Sequence, residues 1–401
     1  LINLWAKDFA GNADFCATYV IIQDNGGICD LKASIAGTLT TEASKGVQDA
    51  QIHLSGKHPT LPPVELYKTS DQGGRYVFSN ALPYLVSYGI TPYKNDNPLN
   101  GVTTQDLSII SKHILNLTPL ASPYQMIAAD ANKSGTITTL DIVALRRMIL
   151  GISDSLTDNT SWRFVPRRHV FPNPRNPFDK PFPESIRVDS FLLQSDALEE
   201  NFVSVKVGDV NGTAQANLLM ASGERYLPPL FLDVQDRHFS AGEEFRVVFT
   251  AKSSDAVFQF TLEHPGLMIT CVEPVWPMRP EHFAVFETAH LLTVAYEGSE
   301  TAVFPTFVVC FRAVSEGSLH QALFLSDRLT RRCAYEDKAT QERQPVLLLR
   351  DPVTPVSPSE RFHLYGCVPN PFHTTVAFRF YVPEADWLHF HIHDVAGRSV
   401  F

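Results

Sequence analysis

NDNPLNGVTTQDLSIISKHILNLTPLASPYQMIAADANKSGTITTLDIVALRRMILGI, Asn95 to Ile152, carries one pattern twice. Thr103 and Thr104 realign on Thr138 and Thr139 at a spacing of 35 residues, Asp106 falls on Asp141, and His113-Ile114-Leu115 on Met148-Ile149-Leu150. Each copy is a polar, Asx- and Gly-rich run that leads into an apolar series at three- and four-residue spacing. The series are Leu107, Ile110, Ile114, Leu117 and Ile142, Leu145, Ile149, Ile152. That period predicts two amphipathic helices, and the duplication predicts two half-units that pack as one.

The second polar run has the chemistry of a cation loop. Asp130, Asn132, Ser134, Thr138 and Asp141 stand at positions 1, 3, 5, 9 and 12 of a twelve-residue calcium loop. Gly135 holds position 6, where the chain must turn sharply, and Thr136 would offer its backbone carbonyl at position 7. Calcium is a hard ion that takes six to eight oxygens, so an oxygen-only set at this spacing predicts calcium. The competing reading is an Asx-rich turn that caps the helix without metal. Counting back from Asp106, the first run would present Asn95, Asn97, Leu99, Thr103 and Asp106. Leu99 cannot ligate and Asn100 replaces the turn glycine. Three readings of this loop stand side by side: an occupied site on Asn95, Asn97, Thr103 and Asp106, a site re-registered around Asp96, and an Asn-rich turn without metal.

With Asp141 in place of the usual bidentate Glu, residues 95–153 resemble the dockerin modules of cellulosomes. The resemblance implies calcium as cofactor and a cohesin-like domain as protein partner. It places the partner surface just before and along each helix, at Thr104, Gln105, Lys112, Thr139, Leu140, Arg146 and Arg147.

At 401 residues the chain predicts two to four domains. Its net charge of −10, with no basic run, argues against nucleic acid as a partner. No apolar run reaches the roughly 18 residues of a transmembrane segment. Phenylalanine (27) and proline (28) are abundant, and alternating runs end in Gly/Asn/Asp turns, which predicts β-sandwiches. The fold class expected is a mainly β multidomain chain, with an immunoglobulin-like or prealbumin-like sandwich, a cohesin-like jelly roll and one small α-helical calcium module. A Leu start and an end inside a strand pattern read as a piece of a longer protein. The six cysteines lack a CxxC pair, so zinc is not expected; Cys16 and Cys29 could pair, and Cys310 reads as a buried small hydrophobe.

The modules follow in order. Residues 1–30, with a turn at Ala10-Gly11-Asn12, resemble the closing hairpin of a hyalin-repeat or immunoglobulin-like adhesion module. Residues 31–94 carry Ile35, Gly37, Gly46-Val47, Ala50, Leu54 and Gly74-Arg75-Tyr76-Val77-Phe78, and resemble the carboxypeptidase-regulatory-like, prealbumin-type sandwich. Residues 154–226 read as a proline-rich connector whose Trp162, Phe164, Phe171, Phe178 and Phe182 pin it to its neighbours. It closes on Asp209-x-Asn211-Gly212, which begins like a calcium loop but has no helix after it and so reads as a plain turn. Residues 227–352 carry Gly242, Phe245, Val247, Phe258, Phe260, Leu262, Leu267, Phe311, Ala313, Gly317 and Leu319, and resemble cohesin modules. Residues 361–401 carry Asn370-Pro371-Phe372, Thr375, Phe378, Phe380, Val382-Pro383 and Asp394-x-x-Gly397-Arg398, and resemble the first half of a type A C-terminal sorting domain. That resemblance implies the type IX secretion machinery as a partner and export from a Gram-negative bacterium, secreted or to the cell surface.

His389, His391 and His393 alternate along one strand face and read as a polar outer face rather than a zinc site. No serine-nucleophile elbow, zinc-protease helix motif or phosphate loop occurs, so an enzyme is not expected. The reading is a non-catalytic modular protein for protein–protein interaction or adhesion. Its alternative is the accessory C-terminal region of a secreted hydrolase, acting on polysaccharide or protein, with the catalytic domain upstream. Two expectations concern packing: the dockerin-like and cohesin-like parts dock within one chain, or the prealbumin-like unit packs directly on the helices.

Overall fold

The computed structural model describes residues 2–18, 32–57, 62–83, 86–189, 196–217, 229–254, 256–298, 303–336, 342–350, 363–368 and 377–381. The chain forms two compact units, Leu1–Val234 with His238–Leu349, and Gln235–Arg237 with Arg350–Phe401. In the second unit His363–Val368 pairs antiparallel with Ala377–Tyr381. The remaining sorting-domain motif residues, His389, His391 and His393 among its neighbours, lie outside the described residues, as does Cys29.

The first unit opens on the hairpin Ile2–Lys7/Ala13–Thr18, whose turn is held by Asp8 Oδ1 accepting from the Ala10 and Asn12 amides. Next comes a sandwich of two four-stranded sheets. One runs Arg75–Pro83, Lys32–Thr40, Phe202–Lys206, Trp162–Pro166; the other runs Val64–Thr69, Gln51–Lys57, Ser87–Tyr93, Ile186–Val188. Alternation sets the inner face: Ile52 and Leu54 are buried along Gln51–Lys57 while Gln51 and Lys57 are exposed. Ile35, Val47, Ala50, Leu54, Tyr76 and Phe78 all lie in this core.

Three strands of this sandwich come from the stretch expected to be a connector. Phe202–Lys206 runs parallel to Lys32–Thr40, with Phe202 beside Leu39, and antiparallel to Trp162–Pro166. Trp162, Phe164, Ile186, Val188 and Phe202 belong to the sandwich core. The boundary at residue 94 is therefore an insertion point, and the helices enter between two strands of one sandwich. A strand buried on both faces shows no alternation: all five residues of Trp162–Pro166 are buried, with Phe164 on the sandwich side and Val165 in the helical core. Phe171, Phe178 and Phe182 also pack against that helical core, as the pinning role required.

The helical part has α1 (Thr104–Ile114), α2 (Pro123–Ala129) and α3 (Thr139–Ile149). Thr103 and Thr138 are the N-caps of α1 and α3, each in a capping box with an aspartate three residues on, Asp106 and Asp141. Leu107, Ile110, Leu145 and Ile149 form one core with Val165, Val205 and Val207, and with Ala295 from farther along the chain.

The second sandwich pairs a sheet ordered Leu267–Val275, Thr306–Ala313, Glu244–Ala251, Leu230–Gln235, Pro345–Arg350 with one ordered Phe283–Phe286, Leu291–Tyr296, Ala256–Glu263, Phe324–Ser326; Cys333–Glu336 also pairs with Ala256–Glu263. Phe245, Val247, Phe258, Phe260, Leu262, Leu267, Phe311, Ala313 and Leu319 fill its core. Cys310 is not a lone buried hydrophobe: it is disulfide-bonded to Cys271 across adjacent strands.

Candidate calcium loop and docking face

The loop before α3 is built around Asp130, which is 1% exposed. Its Oδ1 accepts from the Ser134 amide (2.9 Å) and its Oδ2 from the Gly135 amide (3.0 Å). Asn132 Oδ1 accepts from Ser134 (3.0 Å), while the Asn132 amide donates to Asp141 Oδ1 (3.1 Å). The Thr138 amide closes the ring on Asp141 Oδ2 (2.8 Å), and Ser134 Oγ donates to the Thr136 carbonyl (3.1 Å). Gly135 turns with φ of +75°, the left-handed region that glycine enters at no cost. So Asp130, Asn132, Ser134, Thr136, Thr138 and Asp141 are brought together. Burial first, and then the charge of Asp141, push the Asp130 carboxyl above its usual range against the opposing backbone N–H groups. Each carboxylate oxygen has two lone pairs. The bonds above leave acceptor capacity on both aspartates, and two converging carboxylates with the side-chain oxygens of Asn132, Ser134 and Thr138 beside them suit a hard cation.

Around Asp106 the structure departs from the sequence reading. Asn95 Oδ1 accepts from the Ser161 amide (2.9 Å), and Asn97 sits in a turn with φ of +42°. What meets Asp106 Oδ1 are the Val210 (2.9 Å) and Asn211 (3.3 Å) amides, from the run dismissed as a plain turn; Oδ2 takes the Thr103 amide (2.9 Å). Burial, and next the charge of Asp209, push the Asp106 carboxyl well up. Asp209, Asn211 and Thr213 were missed as partners of this loop because the helix they belong to precedes them by a hundred residues. The signal was present in the spelling D-V-N-G-T.

Residues 100–150 match the dockerin type I domain. The matched span holds α1, α2, α3 and the loop 130–141, and it marks this part of the chain as a protein–protein interaction module. No curated protein matches the chain. Among solved structures, a cohesin–dockerin complex of Clostridium thermocellum (Coh-OlpC–Doc435) is 10% identical, covers 33% of this chain and 100% of that one, and has a TM-score of 0.23. A non-cellulosomal cohesin from the archaeon Archaeoglobus fulgidus is 13% identical, with 30% and 92% covered and a TM-score of 0.17. The major pilin subunit BcpA of Bacillus cereus is 7% identical, with 79% and 69% covered and a TM-score of 0.21.

The dockerin segment lies against the second sandwich. The first N–H groups and last C=O groups of a helix lack intrahelical partners. Here the sandwich supplies some of them. The Thr104 amide, first in α1, donates to Gln259 Oε1 (2.8 Å). At the end of α3, Thr330 Oγ1 donates to the Ile149 carbonyl (2.7 Å) and Thr293 Oγ1 to the Leu150 carbonyl (2.8 Å). Arg146 Nη2 pairs with Glu297, whose other oxygen lies 3.3 Å from His282 Nε2. Gln259, Thr261, Thr293 and Ala295 are each at most 3% exposed, although a free-standing sandwich would turn such a row to water. Of the expected partner residues, Thr104 and Arg146 are on this face and Gln105 is buried beside them. Thr139, Leu140 and Arg147 are exposed, and Lys112 is half-buried. The expected surface lay just before and along each helix; the contact within this chain uses the start of α1 and the end of α3.

Proposed function

We propose that this chain is a non-catalytic extracellular segment in which a calcium-stabilised dockerin docks on the sandwich of its own chain, joining two β modules into one rigid interaction unit. The observation that carries this reading is the capping of helix termini by Gln259, Thr293 and Thr330, because buried hydroxyl and amide groups need such partners. Calcium, which dockerins imply, would be held by Asp130, Asn132, Ser134, the Thr136 carbonyl, Thr138 and Asp141. Bound there it supplies a fixed positive charge that relieves the repulsion of the two aspartates. The chain's own part is to hold the loop on the N-terminus of α3 through the Thr138–Asp141 capping box. The Cys271–Cys310 disulfide agrees with an oxidising, extracellular setting. The sorting motif of residues 361–401 supports delivery there by the type IX route.

The test is a chemical denaturation series on the full chain with Thr293→Val and Thr330→Val, singly and together. Each leaves a buried carbonyl without its donor, at about 1–3 kcal/mol. The double variant should lose protection from hydrogen exchange at the end of α3. Unchanged stability and exchange in the double variant would mean the helices do not rest on this face.

A further inference from the structure

The six relations that build the loop 130–141 recur, atom for atom, at the head of α1. Asp209 Oδ1 accepts from the Thr213 amide (3.0 Å) and Oδ2 from the Ala214 amide (2.8 Å), as Asp130 accepts from Ser134 and Gly135. Asn211 Oδ1 accepts from Thr213 (3.2 Å), as Asn132 does from Ser134. The Asn211 amide donates to Asp106 Oδ1 (3.3 Å) and the Thr103 amide to Asp106 Oδ2 (2.9 Å), as Asn132 and Thr138 donate to Asp141. Thr213 Oγ1 donates to the Gly101 carbonyl (3.0 Å), as Ser134 Oγ does to Thr136. Asp209, Asn211 and Thr213 thus hold positions 1, 3 and 5, and Gly101, Thr103 and Asp106 hold positions 7, 9 and 12.

We propose that Asp209, Asn211, Thr213, the Gly101 carbonyl, Thr103 and Asp106 form a second calcium site, a loop cut between positions 6 and 7 and assembled from two distant segments. This rests on the calcium reading of residues 130–141. The cut ends are spliced. Asn100 Nδ2 donates to the Gln215 carbonyl (2.8 Å) and Asn100 Oδ1 accepts from the Gln215 amide (3.0 Å). The backbones abut so closely that a Cβ on Gly101 would stand 2.5 Å from Ala214 Cα. The glycine pattern fits the cut. A continuous loop needs a left-handed turn at position 6, where Gly135 has φ of +75°. Because the split chain runs on at Ala214 instead of turning, an alanine is tolerated there, and across the cut it is Gly101, at position 7, that is left-handed, with φ of +77°. The nearby cation, Lys206, directs its ammonium group to the Pro98 (2.7 Å) and Val207 (3.4 Å) carbonyls and not into a hydrogen bond with Asp106 or Asp209. Asp209 stands three residues past the end of the strand Phe202–Lys206, so this site would fasten the first sandwich to α1, which a contiguous loop would not do.

The experiment is calorimetric titration of the chelator-treated full chain with calcium, alongside thermal melts, for the wild type and for Asp130→Asn, Asp106→Asn and Asp209→Asn. The expected stoichiometry is two for the wild type and one for each variant. In Asp106→Asn combined with Asp209→Asn it stays at one, because both residues serve a single site. Melts without calcium report whether each variant still folds, since Asn keeps one acceptor oxygen and places a donor NH2 where the other carboxylate oxygen accepted a backbone amide. Two sites in Asp209→Asn, or one in the wild type with Asp130→Asn abolishing it, would overturn the split site and leave the contiguous loop standing. No binding by the wild type would overturn both.

Discussion

Glu297 shows how a single carboxylate ties the dockerin to the sandwich. Burial alone would raise its pKa, but the hydrogen bond and charge of His282, with the Arg146 guanidinium, outweigh burial and hold the carboxyl below its usual range. A carboxylate whose folded pKa lies below its unfolded value contributes stability above the unfolded value, and that contribution is lost as the pH falls through the folded one. Glu297→Gln should therefore cost about 1–3 kcal/mol near pH 7, the scale of a hydrogen bond to a charged group. The gap from wild type should close below about pH 4, where carboxylates protonate. Denaturation of the two proteins from pH 7 to 3 measures it. A gap that stays constant with pH would show that the cost comes from packing and not from the charge. At this scale the sequence was only partly legible. Arg146 was singled out through the dockerin resemblance, whereas Glu297 sits on the far partner and no local pattern marks it.

The helices were legible because their period is local. Of the two series, Leu107, Ile110, Ile142, Leu145 and Ile149 are buried and Ile114 is half-buried, whereas Leu117 and Ile152, past the helix ends, are exposed. The same periodicity separates two leucines of α3. Leu145 is fully buried, so Leu145→Ala should cost about 2–5 kcal/mol. Leu140 is 65% exposed and Leu140→Ala should stay within about 0.5 kcal/mol. Urea midpoints at constant slope compare them, and a costly Leu140→Ala would mean that the start of α3 is covered. The strand Trp162–Pro166 was illegible for the opposite reason. It is covered on one face by the sandwich and on the other by α-helical core, so no alternation survives, and the prolines after it suggested a connector. The two loops proposed to hold calcium divide in the same way. Positions 1 to 12 are read off at once when contiguous, as at 130–141, but the Asp209 segment offered only its first half beside no helix. The partner half had already passed.

At the scale of the molecule, an insertion makes the first sandwich depend on chain that follows the helices. Phe202–Lys206 lies between Lys32–Thr40 and Trp162–Pro166, and Ile186–Val188 extends the opposite sheet. Removing them uncovers Ile35, Leu39, Tyr88 and Ile90, which are all fully buried. It also deletes Trp162, Phe164 and Phe202 from the same core. At roughly 1.5–3 kcal/mol for each large apolar side chain returned to water, the loss is comparable to the whole stability of a domain. A fragment of residues 32–153, the unit suggested by reading the modules in a line, should therefore show no cooperative melt and poor dispersion of its amide resonances. Residues 32–217 should melt in one transition. Calcium should raise that transition, since a ligand bound only by the folded state stabilises it by mass action. Cooperative melting of 32–153 would mean that the later strands are additions to a finished sandwich; its failure beside a folded 32–217 would show that the dockerin is built into the sandwich and that neither is a separable bead on a string.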